Sequence, residues 1–107
     1  MPYYMVQVSY SQPSIKAMTD NPQDRAAAVR KIIEAAGGKL HSWFYSFGKY
    51  DVVLIEEWPD AKSAAALALA VGASGSVSRI VTTPLLTPEE GLEAMKAATR
   101  LSYSKPQ

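Results

Sequence analysis

The chain has 107 residues, with eleven Lys and Arg against ten Asp and Glu, a formal net charge of +1, a single histidine and no cysteine. That length suits one core and is short for two, so residues 1–107 are expected to form a single domain. The near-neutral charge offers no long-range field for nucleic acid or an anionic membrane, and a lone His41 without cysteine rules out disulfides, thiolate sites and a multi-histidine metal site within one chain.

No basic segment followed by an apolar one opens the sequence, and its longest apolar-rich run, Ala64–Ala73, is far short of a membrane span. A soluble, cytoplasmic protein without metal or cofactor is the expectation. Tyr3–Tyr10 alternates, with Tyr4, Val6, Val8 and Tyr10 on one face and Tyr3, Met5, Gln7 and Ser9 on the other, and reads as a first strand. Ser11–Asn21 holds turn-forming clusters around Ile15–Met18, which reads as one helical turn. Asn21 as N-cap and Pro22 at the first helical position then open a helix to about Ala36, with Val29, Ile32, Ile33 and Ala36 as its buried stripe and Gly37–Gly38 as its stop.

Lys39–Phe47 alternates again. Lys39, His41, Trp43, Tyr45 and Phe47 are expected on one face and Leu40, Ser42, Phe44 and Ser46 on the other. Gly48–Lys49 reads as a two-residue hairpin with positive φ at Gly48, leading into a third strand, Tyr50–Glu57, that is apolar on both faces over Val52–Ile55. Trp58-Pro59-Asp60 ends this strand, and Asp60 caps a helix over Ala61–Val71 whose many alanines allow close approach to a neighbour; Gly72 closes it. Ser76–Pro84 is the fourth strand. Thr87-Pro88-Glu89-Glu90 is a capping box that opens a C-terminal helix over 88–101, and 102–107 form a polar, frayed tail.

Two β–α–β units around a central hairpin predict an α+β, ferredoxin-like βαββαβ fold: a four-stranded antiparallel sheet, strands one and three central, helices on one face only. The uncovered face has an area on the order of 400 Å². Because both alternating faces carry large apolar residues, that face is expected to be an interface or a cavity wall, and the chain is expected to associate with itself.

The hairpin Gly48-Lys49-Tyr50-Asp51, the apolar strand Val52-Val53-Leu54-Ile55, the Pro59-Asp60 stop, the alanine-rich helix and the turn Gly72-Ala73-Ser74-Gly75-Ser76-Val77 together resemble the GYD domain, over Tyr4 to about Glu90. The resemblance implies a dimeric α+β barrel, in which two ferredoxin-like domains pack their open sheet faces together. It implies little about activity. The chain differs from the shorter family pattern by its extension over Glu93–Gln107.

Candidate chemistry is sparse. His41, Trp43 and Tyr45, expected on one strand face, would line an aromatic cavity with a titratable imidazole; the plainer and preferred reading has Trp43 and Tyr45 filling an interface with His41 at its rim, and Gln7 joining either arrangement. Tyr50 and Asp51 point to opposite faces and read as structural with Gly48, Asp51 bonding backbone amides near the turn; Glu56 and Glu57 diverge for the same reason. Arg79 either faces the cavity and binds an anionic group or guards the sheet edge. Arg25, Arg30 and Lys31 read as a solvated helix face, and Gly72–Gly75 as a helix stop, since a phosphate loop precedes a helix.

No complete catalytic constellation is present. The first functional reading is an oligomeric small-ligand-binding or assembly module, with itself and a small organic ligand as partners. The alternative, implied by the barrel superfamily, is a cofactor-independent enzyme of monooxygenase or isomerase type using His41. A third, anion or nucleotide sensing, requires Arg79 or Lys39 to converge across an interface.

Overall fold

Alternation in the first ten residues produces a strand that others flank on both sides. The computed structural model describes residues 1–107 and contains β1 (Tyr3–Tyr10), α1 (Gln12–Asp20), α2 (Arg25–Ala35), β2 (Lys39–Tyr45), β3 (Val52–Glu57), α3 (Ala61–Ala73), β4 (Val77–Leu85) and α4 (Pro88–Ala98). The strands form one antiparallel sheet in the order β2-β3-β1-β4. This is the expected ferredoxin-like arrangement, with β1 and β3 central.

Tyr4, Val6 and Val8 of β1 and Val52 and Leu54 of β3 point to the helix side and are buried with Ile33 of α2 and Ala64 of α3. Their neighbours Met5, Gln7, Val53 and Ile55 point the other way, onto a face that no helix covers. No helix is long and apolar enough to cross a membrane.

Several local expectations are corrected. The segment after β1 forms a nine-residue helix, α1, in place of one turn: Ser11 caps it through the Ser14 N–H, and Pro13 occupies its first turn. Asn21 ends this helix, its N–H donating to Ala17 O, and does not begin the next. Asp24 caps α2 instead, accepting from the Ala27 N–H at 3.0 Å, which leaves Pro22 in the connection. Gly72 lies inside α3, whose cap is Ser74; β4 runs one residue later than expected, and α4 stops at Ala98.

The β2–β3 connection differs most. It spans residues 46–51, and the positive φ falls on Phe47 (43°), not on Gly48. Ser46 closes the loop by donating from its N–H to Asp51 O and from its hydroxyl to Tyr50 O. With six residues available, no tight primed turn is required, so the reason for positive φ at Gly48 disappears. The Asp51 carboxylate accepts the Tyr10 N–H at 2.8 Å, tying the loop to the end of β1 rather than to the turn itself.

A close approach makes Gly38 essential. A Cβ at that position would sit 2.7 Å from Trp58 Cε3 and 2.8 Å from the Glu57 carbonyl oxygen, in a spot where the Trp58 ring is fully buried and has nowhere to move. Gly38→Ala is therefore expected to destabilise the fold by about 1–3 kcal/mol through overpacking, read as a lowered urea midpoint in tryptophan fluorescence. An unchanged midpoint would show that Trp58 has room to shift.

Candidate functional site

One irregularity decides which side chains meet. β2 pairs with β3 through Lys39–Glu57 and Leu40–Glu56, then shifts register, so that Ser42 faces Ile55, Trp43 faces Leu54, and Tyr45 faces Val52. His41 is the extra residue of a bulge. It joins the uncovered face, with Nε2 2.8 Å from Glu57 Oε1 and its ring 5.3 Å from that of Tyr3. Trp43 and Tyr45 take the helix face, their rings edge to face at 6.1 Å. The predicted grouping of His41 with Trp43 and Tyr45 is thus broken by a sheet's thickness.

On the helix face, α2 and α3 diverge over the sheet and leave a cleft of about 270 Å³. Val6, Val8 and Leu54 form part of its floor; Val29 and Ile32 of α2 and Leu67 of α3 line its sides. Of the expected buried stripe of α2 only Ile33 is buried; Val29 is half-buried, Ile32 is 55% exposed and Ala36 is exposed, because the alanines of α3 are too short to reach across and cover them.

Arg25, Ser74, Ser76 and Thr82 also border the cleft, and two buried polar groups stand out in its lining. Glu56 is 1% exposed. Its Oε1 accepts the Trp58 indole N–H at 2.8 Å, and its Oε2 has no partner. Burial pushes the Glu56 pKa upward, partly opposed by the bond from Trp58. Trp43 presents the second group, a buried indole N–H that also has no partner. A buried carboxyl oxygen and a buried indole N–H without protein partners, in the lining of one cleft, are unusual, because buried polar atoms ordinarily find hydrogen bonds.

The other predicted residues lie apart from this cleft. Gln7 sits centrally on the open face between Val53 and Val81. Arg79 pairs with Ser9 on that same face, and its guanidinium lies 5.8 Å from the Tyr50 ring centroid, with Lys49 5.9 Å from the same ring. The open face therefore holds Gln7, His41 and Arg79 without converging them. Glu57 is held below the usual carboxylate range, first by its hydrogen bond to His41. Near the β2–β3 loop, Tyr10 has its phenol pushed up to about 12, first by burial and then by Tyr45; a second hollow there is lined by Ile15, Met18, Tyr45 and Phe47. No three His, Asp or Glu side chains come close enough to hold a metal ion.

The family model of the GYD domain matches residues 4–95. The chain belongs to the GYD domain family. No curated protein and no solved structure matches it. In this GYD domain Gly48 lies in the β2–β3 loop, the Tyr50 ring is flanked by Lys49 and Arg79, and the Asp51 carboxylate ties the loop to β1. Sequence reasoning set Glu56 aside as half of a failed carboxylate pair; the signal it carried was a charged residue at an inward position of a buried central strand.

The raised Glu56 pKa has a definite sign. Native protein binds that proton more tightly than unfolded chain, so its contribution is fully present below the unfolded value of about 4.5 and is lost as pH rises through the folded value. Glu56→Gln keeps the acceptor for Trp58 and removes the titration. Relative to wild type, the variant is expected to gain stability as pH increases above about 4.5 and to hold that gain constant once the folded value is passed, measured by urea unfolding as a function of pH. Parallel curves for the two proteins would mean that Glu56 titrates normally.

Proposed function

We propose that this GYD-domain protein is a homo-oligomeric binding module that takes one small, neutral, largely apolar molecule per chain into the cleft between its helices and sheet. The observation that carries this reading is the pair of unpartnered polar atoms, Glu56 Oε2 and Trp43 Nε1, in a mainly apolar lining that also includes Arg25, Ser74, Ser76 and Thr82. Leaving each unpaired costs about 1–3 kcal/mol, and a ligand hydroxyl, amide or carbonyl that bonds either atom removes that cost. A bare cation is disfavoured by the mainly hydrocarbon surroundings and by Arg25 in the lining.

Self-association through the open sheet face is part of the same reading. Met5, Val53, Ile55 and Val81 make it apolar at the centre, and Phe44 is 67% exposed there. Phe44→Asp is expected to weaken association at least tenfold in sedimentation velocity while leaving the cleft intact; an unchanged dissociation constant would place the interface elsewhere. A second reading is favoured by the Glu56 environment alone. A carboxyl whose pKa is raised by burial is suited to general acid–base work on a bound substrate, so a cofactor-independent enzyme would use Glu56 in place of His41.

The binding test uses N-phenyl-1-naphthylamine, a neutral apolar fluorophore carrying one N–H. Saturable enhancement with one probe per chain is expected. Ala68→Phe, which fills the cleft from α3, is expected to weaken binding at least tenfold with the helical circular dichroism signal preserved. Equal binding by wild type and Ala68→Phe would remove the cleft as the site.

A further inference from the structure

The loop between β2 and β3 holds the chain's only non-glycine residue at positive φ. Phe47 sits at +43°, where a side chain crowds its own backbone and where asparagine is far more at home than phenylalanine. Its neighbours hold it there. Ser46 donates from its N–H to Asp51 O at 2.9 Å and from its hydroxyl to Tyr50 O at 2.6 Å, and the Gly48 N–H donates to Tyr50 O at 3.3 Å, so the loop is fastened on both sides of the phenylalanine. Packing does not compensate for the conformation, since Phe47 is 89% exposed. Its consequence is a ring on the wall of the hollow between α1 and this loop, 6.5 Å from the Tyr45 ring and within 19° of parallel to it. Strained residues of this kind cluster at ligand-binding positions.

The hollow has a volume of about 360 Å³ and three aromatic residues in its lining, Tyr10, Tyr45 and Phe47. Asp51 is the one charged residue among the nine that line it. Its Oδ2 accepts the Tyr10 N–H at 2.8 Å, Oδ1 makes no hydrogen bond, and no Lys, Arg or His pairs with the carboxylate. The other polar side chains are engaged locally: Thr19 Oγ1 donates to Ile15 O at 2.7 Å, and Gln23 donates to Asn21 O and accepts from Arg25. Arg25 itself lines the cleft and not this hollow. With the Tyr10 phenol pushed up to about 12, first by burial, the hollow carries one formal charge, and that charge is negative.

We propose that this hollow is a binding site for an alkylated ammonium group, held against the rings of Tyr10, Tyr45 and Phe47 with Asp51 as its counter-charge. Aromatic faces carry negative electrostatic potential and attract cations, quaternary ammonium groups among them. Ile15, Met18 and Pro22 supply hydrocarbon for the alkyl substituents. A primary ammonium fits less well, because its three N–H donors find one free carboxylate oxygen and otherwise phenols. An anion meets the repulsion of Asp51, and a neutral ligand leaves that carboxylate without a counter-charge. The hollow shares Tyr10 alone with the cleft, and the proposal does not depend on the cleft's being occupied.

The test titrates choline, and its uncharged carbon isostere 3,3-dimethylbutan-1-ol, into the isotope-labelled full-length protein and follows amide chemical shifts. Choline is expected to shift the amides of Tyr10 and residues 45–51 saturably, and the isostere is expected to bind at least tenfold more weakly. Asp51→Asn keeps an acceptor for the Tyr10 N–H and removes the charge. Phe47→Asn removes the ring and places there a residue that accepts positive φ. Each variant is expected to weaken choline binding at least tenfold, and Phe47→Asn is expected to do so without lowering the urea midpoint. Peptides carrying trimethyllysine or lysine at one position separate the sources of the group: a methylated peptide that binds more tightly than choline assigns the site to a modified protein, and the reverse order assigns it to a free small molecule. Equal affinity for choline and its isostere, the absence of choline-induced shifts at these amides, or undiminished binding by either variant overturns the proposal. A lowered midpoint for Phe47→Asn would show that the ring supports the fold and would remove its assignment as a ligand wall.

Discussion

The bond between the Trp58 indole and the Glu56 carboxyl holds the candidate site together. Both side chains leave the same face of β3 and its extension, two residues apart, and both are almost completely buried. The bond exists because Trp58 lies flat over Gly38, where any side chain would collide with it. It supplies one partner for a carboxyl that, ionised and alone, would be expelled from so dry a setting. It leaves the second oxygen without a partner. A backbone requirement at the start of β2 thus propagates through one ring to a carboxyl in the lining of the cavity on the same face of the sheet.

The cavity is a consequence of side-chain size in α3. Ala64 packs tightly on the sheet and is buried, while Ala68 and Ala70, farther along, border open space. Alanine brings a helix close to the strands beneath it, yet reaches nowhere sideways. Across the gap α2 offers Val29 and Ile32, which stop short of α3. Larger residues at the α3 positions would close the cleft and enlarge a core that contains only nine apolar residues, so the vacancy comes at the expense of packing that would otherwise stabilise the chain.

Period-two and helical spacing revealed the sheet, its order and three of the four helices, because those patterns report burial directly. What they missed has identifiable causes. Alternation over Lys39–Phe47 is unbroken in the residue string, but the bulge at His41 shifts its phase relative to the partner strand, and a string read alone has no partner strand. Trp43, Tyr45 and Phe47 keep their mutual alternation; only their relation to His41 fails. The β2–β3 connection was misjudged because Gly48-Lys49 fits a tight turn locally, whereas the competing bond from Asp51 to the Tyr10 amide, forty-one residues away, holds the loop open. Helix α1 was read as a single turn because it buries no residue and so has no apolar stripe to extend it, whereas α4, which buries none either, was legible from its capping box. Glu56 was visible as an inward-facing charge, but its hydrogen bond to Trp58 and its orphaned oxygen depend on the arrangement of three elements.

The distribution of apolar surface links the proposed interface to stability. The small core lies between the helix layer and one face of the sheet, and three further apolar surfaces remain: the open face around Phe44, the helix ridge with Ile32 and Leu69, and the side of α4 that carries Leu92 and Met95. Burial of such surface yields about 25 cal/mol per Å², and for a core this small the area lying outside it is a substantial fraction of what holds the chain together. Self-association, if it occurs as proposed, would stabilise the folded chain by mass action, because a partner that binds the native state and not the unfolded one shifts the equilibrium toward folding.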